Sequence, residues 1–242
     1  MSFMANIAAG AATLALASGG LGIAGTLSAS ASASAETSSC HHCDNWYTQK
    51  FGPAFILDDL YGHASAGNAL ILYQASGSDP AEDFVTDDLG SVGSLSGQHG
   101  HHGHYQFSPG FAQAYGSDDA IEIRYVPLGR DSNFCIGTWP GEVAQAGFKI
   151  RLEACGETNT LFVKPAAHAG PNTPPPPPPA GYTSLITGTD TSYTDPLVLN
   201  YPAGRPTDLP RPWLNVEPLS TDSQHHAAQD GQLWKDKMVY GS

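Results

Sequence analysis

The chain has 242 residues, of which 10 are Lys or Arg and 23 are Asp or Glu, giving a formal net charge of −13. A nucleic-acid-binding protein needs a basic stripe, and anionic membranes attract basic segments, so this composition disfavours both partners. The low charge content, with 27 Gly and 19 Pro, is typical of a turn-rich, soluble extracellular protein.

The N-terminal region predicts export. An uncharged run rich in Ala, Gly and Leu covers residues 7–27, and alternating Ser and Ala follow up to Ala35. This order predicts a signal peptide over residues 1–35, with cleavage after Ala35, although no Lys or Arg precedes the run. The run is also about as long as the ~20 residues that a membrane-spanning helix needs. We expect export and no stable membrane insertion, because the run is rich in Ala and Gly and no basic cluster follows it.

The four cysteines indicate disulfide bonds. Cys40 and Cys43 form a Cys-x-x-Cys in a predicted N-terminal tail, residues 36–50, whereas Cys135 and Cys155 lie far along the chain. In an oxidising compartment an even number of cysteines predicts bridges, and four cysteines allow three connectivities. We expect adjacent pairing, Cys40 with Cys43 and Cys135 with Cys155. A redox enzyme would place its Cys-x-x-Cys at the start of a helix, and this Ser- and His-rich tail predicts none.

From residue 51 to the end, short alternating or apolar runs are separated by Gly, Pro, Asp and Ser, which predicts strands and turns. The alternation in residues 121–125 and 148–152 predicts strands with one buried face and one wet face. Many short strands without helices predict an all-β barrel or sandwich, here as one domain over residues 51–242. A Pro-rich insertion within it, residues 171–180, predicts polyproline II structure. The predicted strands are 54–57, 69–73, 105–107, 120–125, 148–152, 161–163, 197–201, 213–216 and 232–234.

A weak internal repeat recurs three times. Each copy has an alternating strand, a polar loop and a polar-x-aromatic triplet. We expect the aromatic residue of each triplet to be buried and its polar partner to hold the preceding loop. The triplets are Glu82-Asp83-Phe84, Thr160-Leu161-Phe162 and Gln232-Leu233-Trp234.

The Gln-x-Trp triplet, and the order of Cys135 and Cys155 within the middle copy, resemble the ricin B-type β-trefoil lectins. Domains of that kind occur in uncharacterised secreted proteins of high-GC Gram-positive bacteria. The resemblance implies an all-β fold, a β-trefoil-like barrel with a disordered or extended N-terminal segment and a Pro-rich loop. It also implies carbohydrate binding, through aromatic stacking and hydrogen bonds from loop side chains.

Sugar sites in that family usually have an Asp soon after the first cysteine of a repeat, but this chain has Gly137 at the matching position. The predicted ligand-binding residues are those that flank this position: Trp139, Asn133 and Asp131. Trp139 precedes a Pro-Gly turn and is the tryptophan that we expect to be exposed.

Two kinds of segment raise the question of metal binding. The tract with His99, His101, His102 and His104 is a candidate site for Zn²⁺, Cu²⁺ or Ni²⁺, the alternative being a flexible loop. The Cys40–Cys43 segment would also offer ligands if its thiols stayed reduced. Acidic groups such as Asp58-Asp59 match no calcium-binding loop and predict solvated turns.

The sequence lacks Gly-x-Ser-x-Gly, His-Glu-x-x-His and P-loop motifs, and we therefore expect no enzyme activity and no cofactor. It predicts a secreted, non-catalytic module that binds glycans or cell-surface polysaccharide. One alternative is a structural or interaction subunit of an extracellular assembly, with self-association or extracellular protein partners; Gly137 favours this alternative. A second is an exported, His-rich metal-binding protein.

Overall fold

The computed structural model describes residues 40, 42–95, 99–100, 103–165, 179–191, 195–202, 204–219 and 230–240. All of them belong to one compact unit, residues 37–242. The predicted signal peptide and residues 171–178 of the predicted Pro-rich insertion lie outside the described residues. Within the described part of the chain, no helix combines the length and the apolar character needed to cross a membrane.

The described chain is built mainly of strands, which confirms the predicted all-β class. Two short helices accompany them, α1 (Val92–Leu95) and α2 (Pro109–Tyr115). The strands are β1 (His42–Thr48), β2 (Phe55–Asp59), β3 (Leu70–Gln74), β4 (Phe84–Ser91), β5 (His99–Gly100), β6 (Gly103–His104), β7 (Asp119–Tyr125), β8 (Phe134–Gly137), β9 (Arg151–Ala154), β10 (Leu161–Lys164), β11 (Ile186–Thr187), β12 (Leu197–Asn200), β13 (Asn215–Pro218) and β14 (Trp234–Tyr240).

Each predicted strand except 105–107 overlaps a strand of the structure, whereas the sequence did not predict β1, β4, β5, β6, β8 or β11. After the non-strand residues 105–108 the chain enters helix α2. Ser108 caps this helix by accepting a hydrogen bond from the Phe111 N–H (3.2 Å), and Pro109 occupies its first turn. Ser followed by Pro is a helix-start signal, so the sequence predicts a helix here better than a strand.

Antiparallel pairing organises the strands into one larger sheet and three two-stranded ones. The larger sheet has the order β13-β12-β11-β10-β7-β8-β9, and β4 also pairs with β7. Separate ladders join β1 to β14, β2 to β3 and β5 to β6. Among the described residues the ladders do not close into a continuous barrel, so the expected β-trefoil-like architecture is present with open edges.

The N-terminal boundary predicted from the sequence is wrong. Residues 36–50 were expected to form a tail outside the domain, yet β1 pairs with β14 along its whole length, from His42 opposite Tyr240 to Thr48 opposite Trp234. Trp46 in this strand is 1% exposed and belongs to the main core. The folded domain therefore includes residues well before Phe51.

Three equivalent residues meet in a closed ring of backbone hydrogen bonds. The Leu70 N–H donates to the Ile150 carbonyl (3.3 Å), the Ile150 N–H to the Leu214 carbonyl (2.8 Å), and the Leu214 N–H to the Leu70 carbonyl (2.8 Å). All three side chains are fully buried in the main core. The ring gives the chain the pseudo-threefold organisation of a β-trefoil-like fold, with one copy of the sequence repeat for each member.

The polar-x-aromatic triplets behave as predicted. Phe84, Phe162 and Trp234 are each fully buried, and a 3₁₀ turn precedes each of them. The carboxylate of Glu82 accepts hydrogen bonds from the N–H groups of Ser76 (2.8 Å) and Gly77 (3.0 Å).

The other two triplets also form side-chain hydrogen bonds to the preceding backbone. The Thr160 hydroxyl donates to the Glu157 carbonyl (2.9 Å), and the Gln232 amide donates to the carbonyl of Pro218 (2.8 Å), the last residue of β13. The polar side chain therefore holds the loop in the first two copies, and in the third it is tied to the strand before the loop.

Strand β7 is largely buried on both faces, contrary to the expectation of one wet face for residues 121–125. Ile121 and Ile123 pack into the main core, while Ala120 faces a second cluster that contains Phe111 of α2. Glu122, expected at the surface, is 3% exposed and accepts a hydrogen bond from the Gly156 N–H (2.8 Å). Burial raises the pKa of this carboxyl.

Both predicted disulfides are present and confirm the adjacent pairing. Cys135 in β8 bonds to Cys155, and Cys40 bonds to Cys43 beside β1. The first closes a sequence separation of 20 residues and the second a separation of 3. Longer loops lose more conformational freedom in the unfolded chain when they are cross-linked.

We expect the double variant Cys135→Ala/Cys155→Ala to lose about 3 kcal/mol of unfolding free energy, and Cys40→Ala/Cys43→Ala to lose about 2 kcal/mol. Urea unfolding of the two variants and of the wild type measures both losses. Equal losses would contradict the loop-length explanation.

Candidate ligand-binding site

The ligand-binding residues predicted around the second repeat do not converge. Trp139 is 46% exposed, as expected, and the Arg151 guanidinium lies 3.7 Å from its ring centroid. Asp131 instead forms an ion pair with Arg124 (2.5 Å) and accepts a hydrogen bond from the Asn133 N–H (2.9 Å). Asp131 and Asn133 precede β8, whereas Trp139 follows it. The four residues of this strand span roughly 13 Å. The structure therefore does not bring Trp139 together with Asp131 and Asn133.

The hydrogen-bonded ring identifies the position equivalent to Gly137 in the other two repeats. Ile71, Arg151 and Asn215 each follow a member of the ring. Their cross-strand partners are Asp58, Gly137 and Asn200, respectively. The carboxylate missing from the second repeat therefore stands in the first, at Asp58.

Local packing explains why the other two positions lack a free carboxylate. A Cβ at Gly137 would lie 2.6 Å from the Asn159 carbonyl oxygen, so this position has no room for a side chain. In the third repeat the Asn200 amide donates to the Asn215 side chain (2.9 Å), which in turn donates to Glu217 (2.6 Å). That network occupies the third position.

Asp58 lines a pocket of about 320 Å³, a size at the small end of ordinary small-molecule sites. The Asp58 residue is only 4% exposed, and its Oδ2 atom has no hydrogen-bond partner among the described residues. Buried carboxylate oxygens are normally hydrogen-bonded, because leaving one unpaired costs free energy. The other side chains that line the pocket include Asp59, Tyr61, Ile71, Tyr73, Asp79 and Arg211.

Asp59 shapes the loop that forms one wall of the pocket. Its carboxylate accepts hydrogen bonds from the N–H groups of Tyr61 (3.4 Å) and His63 (3.0 Å) and from the Asn68 amide (3.2 Å). These bonds satisfy Asp59 within the protein and hold the loop above β2. Tyr61 projects from this loop with 57% of its surface exposed.

Two exposed aromatic side chains, Tyr61 and Tyr73, are among the residues that line the pocket. Tyr73 is 37% exposed, and the Arg211 guanidinium lies 4.5 Å from its ring centroid. Tyr61 stacks on His63, with centroids 6.1 Å apart and an interplanar angle of 18°. Tyr73 lies two residues after Ile71. The residues two positions after Arg151 and Asn215, its equivalents in the other repeats, are Glu153 and Glu217. The first repeat therefore combines a carboxylate and an aromatic ring where the other two do not.

The pocket is strongly acidic. Burial, followed by the nearby charges of Asp79, Glu82 and Asp59, raises the pKa of Asp58 to about 8, against a smaller opposing effect of Arg211. Burial also raises the pKa of Asp59. Perturbed carboxyl groups in a cleft are frequent at functional sites.

The interpretation of the acidic segments as solvated turns was wrong for several of them. Asp58, Asp59, Glu82 and Asp118 are all buried. The sequence signal that could have identified this site was the equivalence between the strand of residues 69–73 and those of the other two repeats. With that equivalence, β2, the strand before residues 69–73, is the counterpart of β8.

A second cavity, of about 400 Å³, lies between the second and third repeats. Its lining includes Glu142, Val143, Thr158 and Thr189, and none of the described lining residues is aromatic. The Thr189 hydroxyl already lies 3.3 Å from that of Thr138. This cavity is the larger of the two but lacks a ring on which a ligand could stack.

The predicted metal ligands are only partly described. His99 in β5 lies opposite His104 in β6, whereas His101 and His102 lie outside the described residues. In the described part of the chain, the groups spaced for a metal are Cys40, Cys43 and Asp83, and Glu122, Cys135 and Cys155. Both include disulfide-bonded cysteines, whose sulfurs are not thiolate ligands. Metal binding by the histidine tract stays a prediction.

No family model matches the chain, and no curated protein matches it. Among solved structures the chain is similar to a designed three-fold symmetric protein, ThreeFoil, with 13% identity and a TM-score of 0.49 over 80% of this chain and 96% of that one. It is also similar to an exo-β-1,3-galactanase from Clostridium thermocellum, with 12% identity and a TM-score of 0.49 over 82% of this chain and 30% of that one. The binding domain of botulinum neurotoxin serotype D is similar with 10% identity and a TM-score of 0.42 over 81% of this chain and 41% of that one. No ligand or activity follows from likenesses at these identities.

The raised pKa of Asp58 predicts a pH dependence of stability. The unfolded chain releases this proton near pH 4, whereas the folded protein keeps it up to about pH 8. Stability due to this group is therefore greatest below pH 4 and falls as the pH rises to about 8, by at most about 1.4 kcal/mol per pH unit. We expect Asp58→Asn to remove this part of the decline, as measured by urea unfolding between pH 4 and pH 8. Identical pH profiles for the two proteins would contradict the assignment.

Proposed function

We propose that this chain is a secreted, non-catalytic carbohydrate-binding module whose ligand site is the pocket of the first repeat. The proposal depends on one observation: Asp58, a buried carboxyl group whose Oδ2 atom has no hydrogen-bond partner among the described residues, lines the same pocket as the exposed ring of Tyr73. A sugar hydroxyl would form a hydrogen bond with this carboxyl group. The apolar C–H face of the sugar ring would pack on the tyrosine.

The chemistry of the pocket matches a sugar better than a fully apolar ligand. Small-molecule sites combine apolar surface with a few placed polar groups that fix orientation. Here Asp58 and Arg211 supply an acceptor and a donor, and Tyr61 and Tyr73 supply aromatic surface. A purely apolar ligand would leave the Asp58 oxygen buried and unpaired.

The differences between the repeats favour one site per chain. Gly137 and Asn200 stand where Asp58 stands in the first repeat. Neither position offers an unpaired carboxylate, and neither has an aromatic residue at the position of Tyr73. A single site per chain binds a polysaccharide with high avidity only when several chains act together.

The two disulfides support an extracellular location, because such bonds persist mainly in oxidising compartments. The expected partners are therefore glycans or cell-surface polysaccharide. The alternative of a structural subunit that has lost its sugar site was favoured by Gly137. Asp58 removes that support, because the carboxylate lies in another repeat.

Two exposed aromatic rings provide a matched test. An arginine guanidinium lies over one face of Tyr73 and of Trp139, but of the two only Tyr73 lines the acidic pocket. On a glycan array we expect the wild-type protein to bind, Tyr73→Ala to lose at least tenfold in affinity, or about 1.4 kcal/mol, and Trp139→Ala to stay within twofold of the wild type.

The opposite pattern, in which Trp139→Ala abolishes binding and Tyr73→Ala does not, would move the site to the second repeat. An array without any binding, together with self-association in light scattering, would favour the structural-subunit alternative instead.

A further inference from the structure

We infer that the first-repeat pocket prefers a sugar that carries a free amino group over the same sugar in its N-acetylated or neutral form. This inference deepens the proposed function and rests on it. The observations that carry it are the charge of the pocket and the unequal satisfaction of its carboxylates.

Acidic side chains outnumber basic ones in the pocket. Asp58, Asp59 and Asp79 line it, and the one positively charged side chain among its described lining residues is Arg211. The Arg211 guanidinium lies over the Tyr73 ring at 4.5 Å. A cationic ligand would gain attraction here that neither a neutral nor an anionic ligand would have.

Of the carboxyl groups around the pocket, Asp58 is the one with a buried oxygen that has no hydrogen-bond partner among the described residues. Asp59 is held by the Asn68 amide and by two backbone N–H groups, and Glu82 accepts from two backbone N–H groups. Asp79 accepts from the Ala81 N–H (3.0 Å). Asp58 is 4% exposed, and its Oδ2 atom has no partner in the described part of the chain. An ammonium group in the pocket would pair with the Asp58 carboxylate through a charge-assisted hydrogen bond, roughly twice as strong as a neutral one.

The two exposed tyrosines favour an amino sugar over a lysine side chain or a polyamine. A flexible aliphatic amine could pair with Asp58 but would leave Tyr61 and Tyr73 without a partner of matching shape. A pyranose ring presents a flat C–H face at a fixed distance from its C2 substituent. Both the ring and the amine can then be bound in one pocket.

Proton release gives this inference a signature of its own. The groups that face Asp58 are Asp59, Asp79, Glu82, Arg211 and the Tyr125 hydroxyl. At pH 6 the free carboxyl group, whose pKa is about 8, and the free amine each carry a proton. Their ion pair holds the ammonium proton and loses the carboxyl proton, so binding releases one proton to the buffer. A neutral sugar that binds the same pocket releases none.

The experiment is calorimetric titration of the full chain at pH 6 in two buffers of different ionisation enthalpy. The ligands are β-1,4-linked tetramers of glucosamine, N-acetylglucosamine and glucose, and galactosamine with its N-acetyl and hydroxyl counterparts. In the glucosamine series or in the galactosamine series, we expect the amine form to bind at least tenfold more tightly than its N-acetyl and hydroxyl counterparts. We also expect its binding to release about one proton. A lysine tetrapeptide should bind at least tenfold more weakly than that amine form.

Asp58→Asn is the decisive variant, because Asn200 already occupies the equivalent position in the third repeat and the fold accommodates it. We expect it to reduce the amine preference below threefold and to abolish proton release. Asp195→Asn, the same change at an exposed residue outside the pocket lining, should leave both unchanged.

Neutral or N-acetylated sugars that bind as tightly as the amines, with sensitivity to Tyr73→Ala, would overturn this inference and leave the proposed function standing. Binding of the lysine peptide as tight as that of the amino sugars would also overturn it. A chain that binds none of these ligands, and no glycan on the array, overturns both proposals.

Discussion

The ring of hydrogen bonds among Leu70, Ile150 and Leu214 is the constraint on which the rest of the structure depends. Each of these backbone groups is buried, and a buried N–H or C=O group without a partner costs free energy. Each ring residue donates its N–H to the carbonyl of one repeat and accepts a hydrogen bond from the N–H of the other. No single repeat can therefore complete the ring. The ring fixes the register of three strands whose successive ring members lie 80 and 64 residues apart in the chain, because 150 − 70 is 80 and 214 − 150 is 64. It thereby sets which residues of the three repeats are equivalent.

Equivalent positions need not carry equivalent side chains, and this freedom lets one repeat hold a site while the others serve the fold. Asp58, Gly137 and Asn200 occupy one such position. In the second repeat the Asn159 carbonyl fills the space that a side chain would take, and the Asn159 amide donates to the Thr138 carbonyl (2.9 Å). In the third repeat the position is part of an amide network. Packing therefore closes two of the three positions and leaves the first open to a ligand.

Much of the fold could be predicted from the sequence, because the triplets and the cysteine pairs are local patterns with a direct physical meaning. The buried aromatic of each triplet and its loop-holding partner follow from one short motif. The site could not be predicted in the same way. The relation of Asp58 to Gly137 depends on strand register, which two distant repeats set jointly, and a run of two aspartates has the composition of a solvated turn. The N-terminal strand was missed for a similar reason, since its partner β14 lies at the other end of the chain.

The unpaired carboxylate of Asp58 is a cost that the fold alone does not require. The third repeat has an amide at the same position, which donates a hydrogen bond to Asn215, so a neutral residue is compatible with this backbone. Departures from local consistency tend to occur at functional sites. The neighbouring acidic groups increase the cost, yet Asp59, Asp79 and Glu82 each have a structural role in holding a loop or turn. Asp58 has none among its described contacts, and a ligand that donates to its free oxygen would account for its presence.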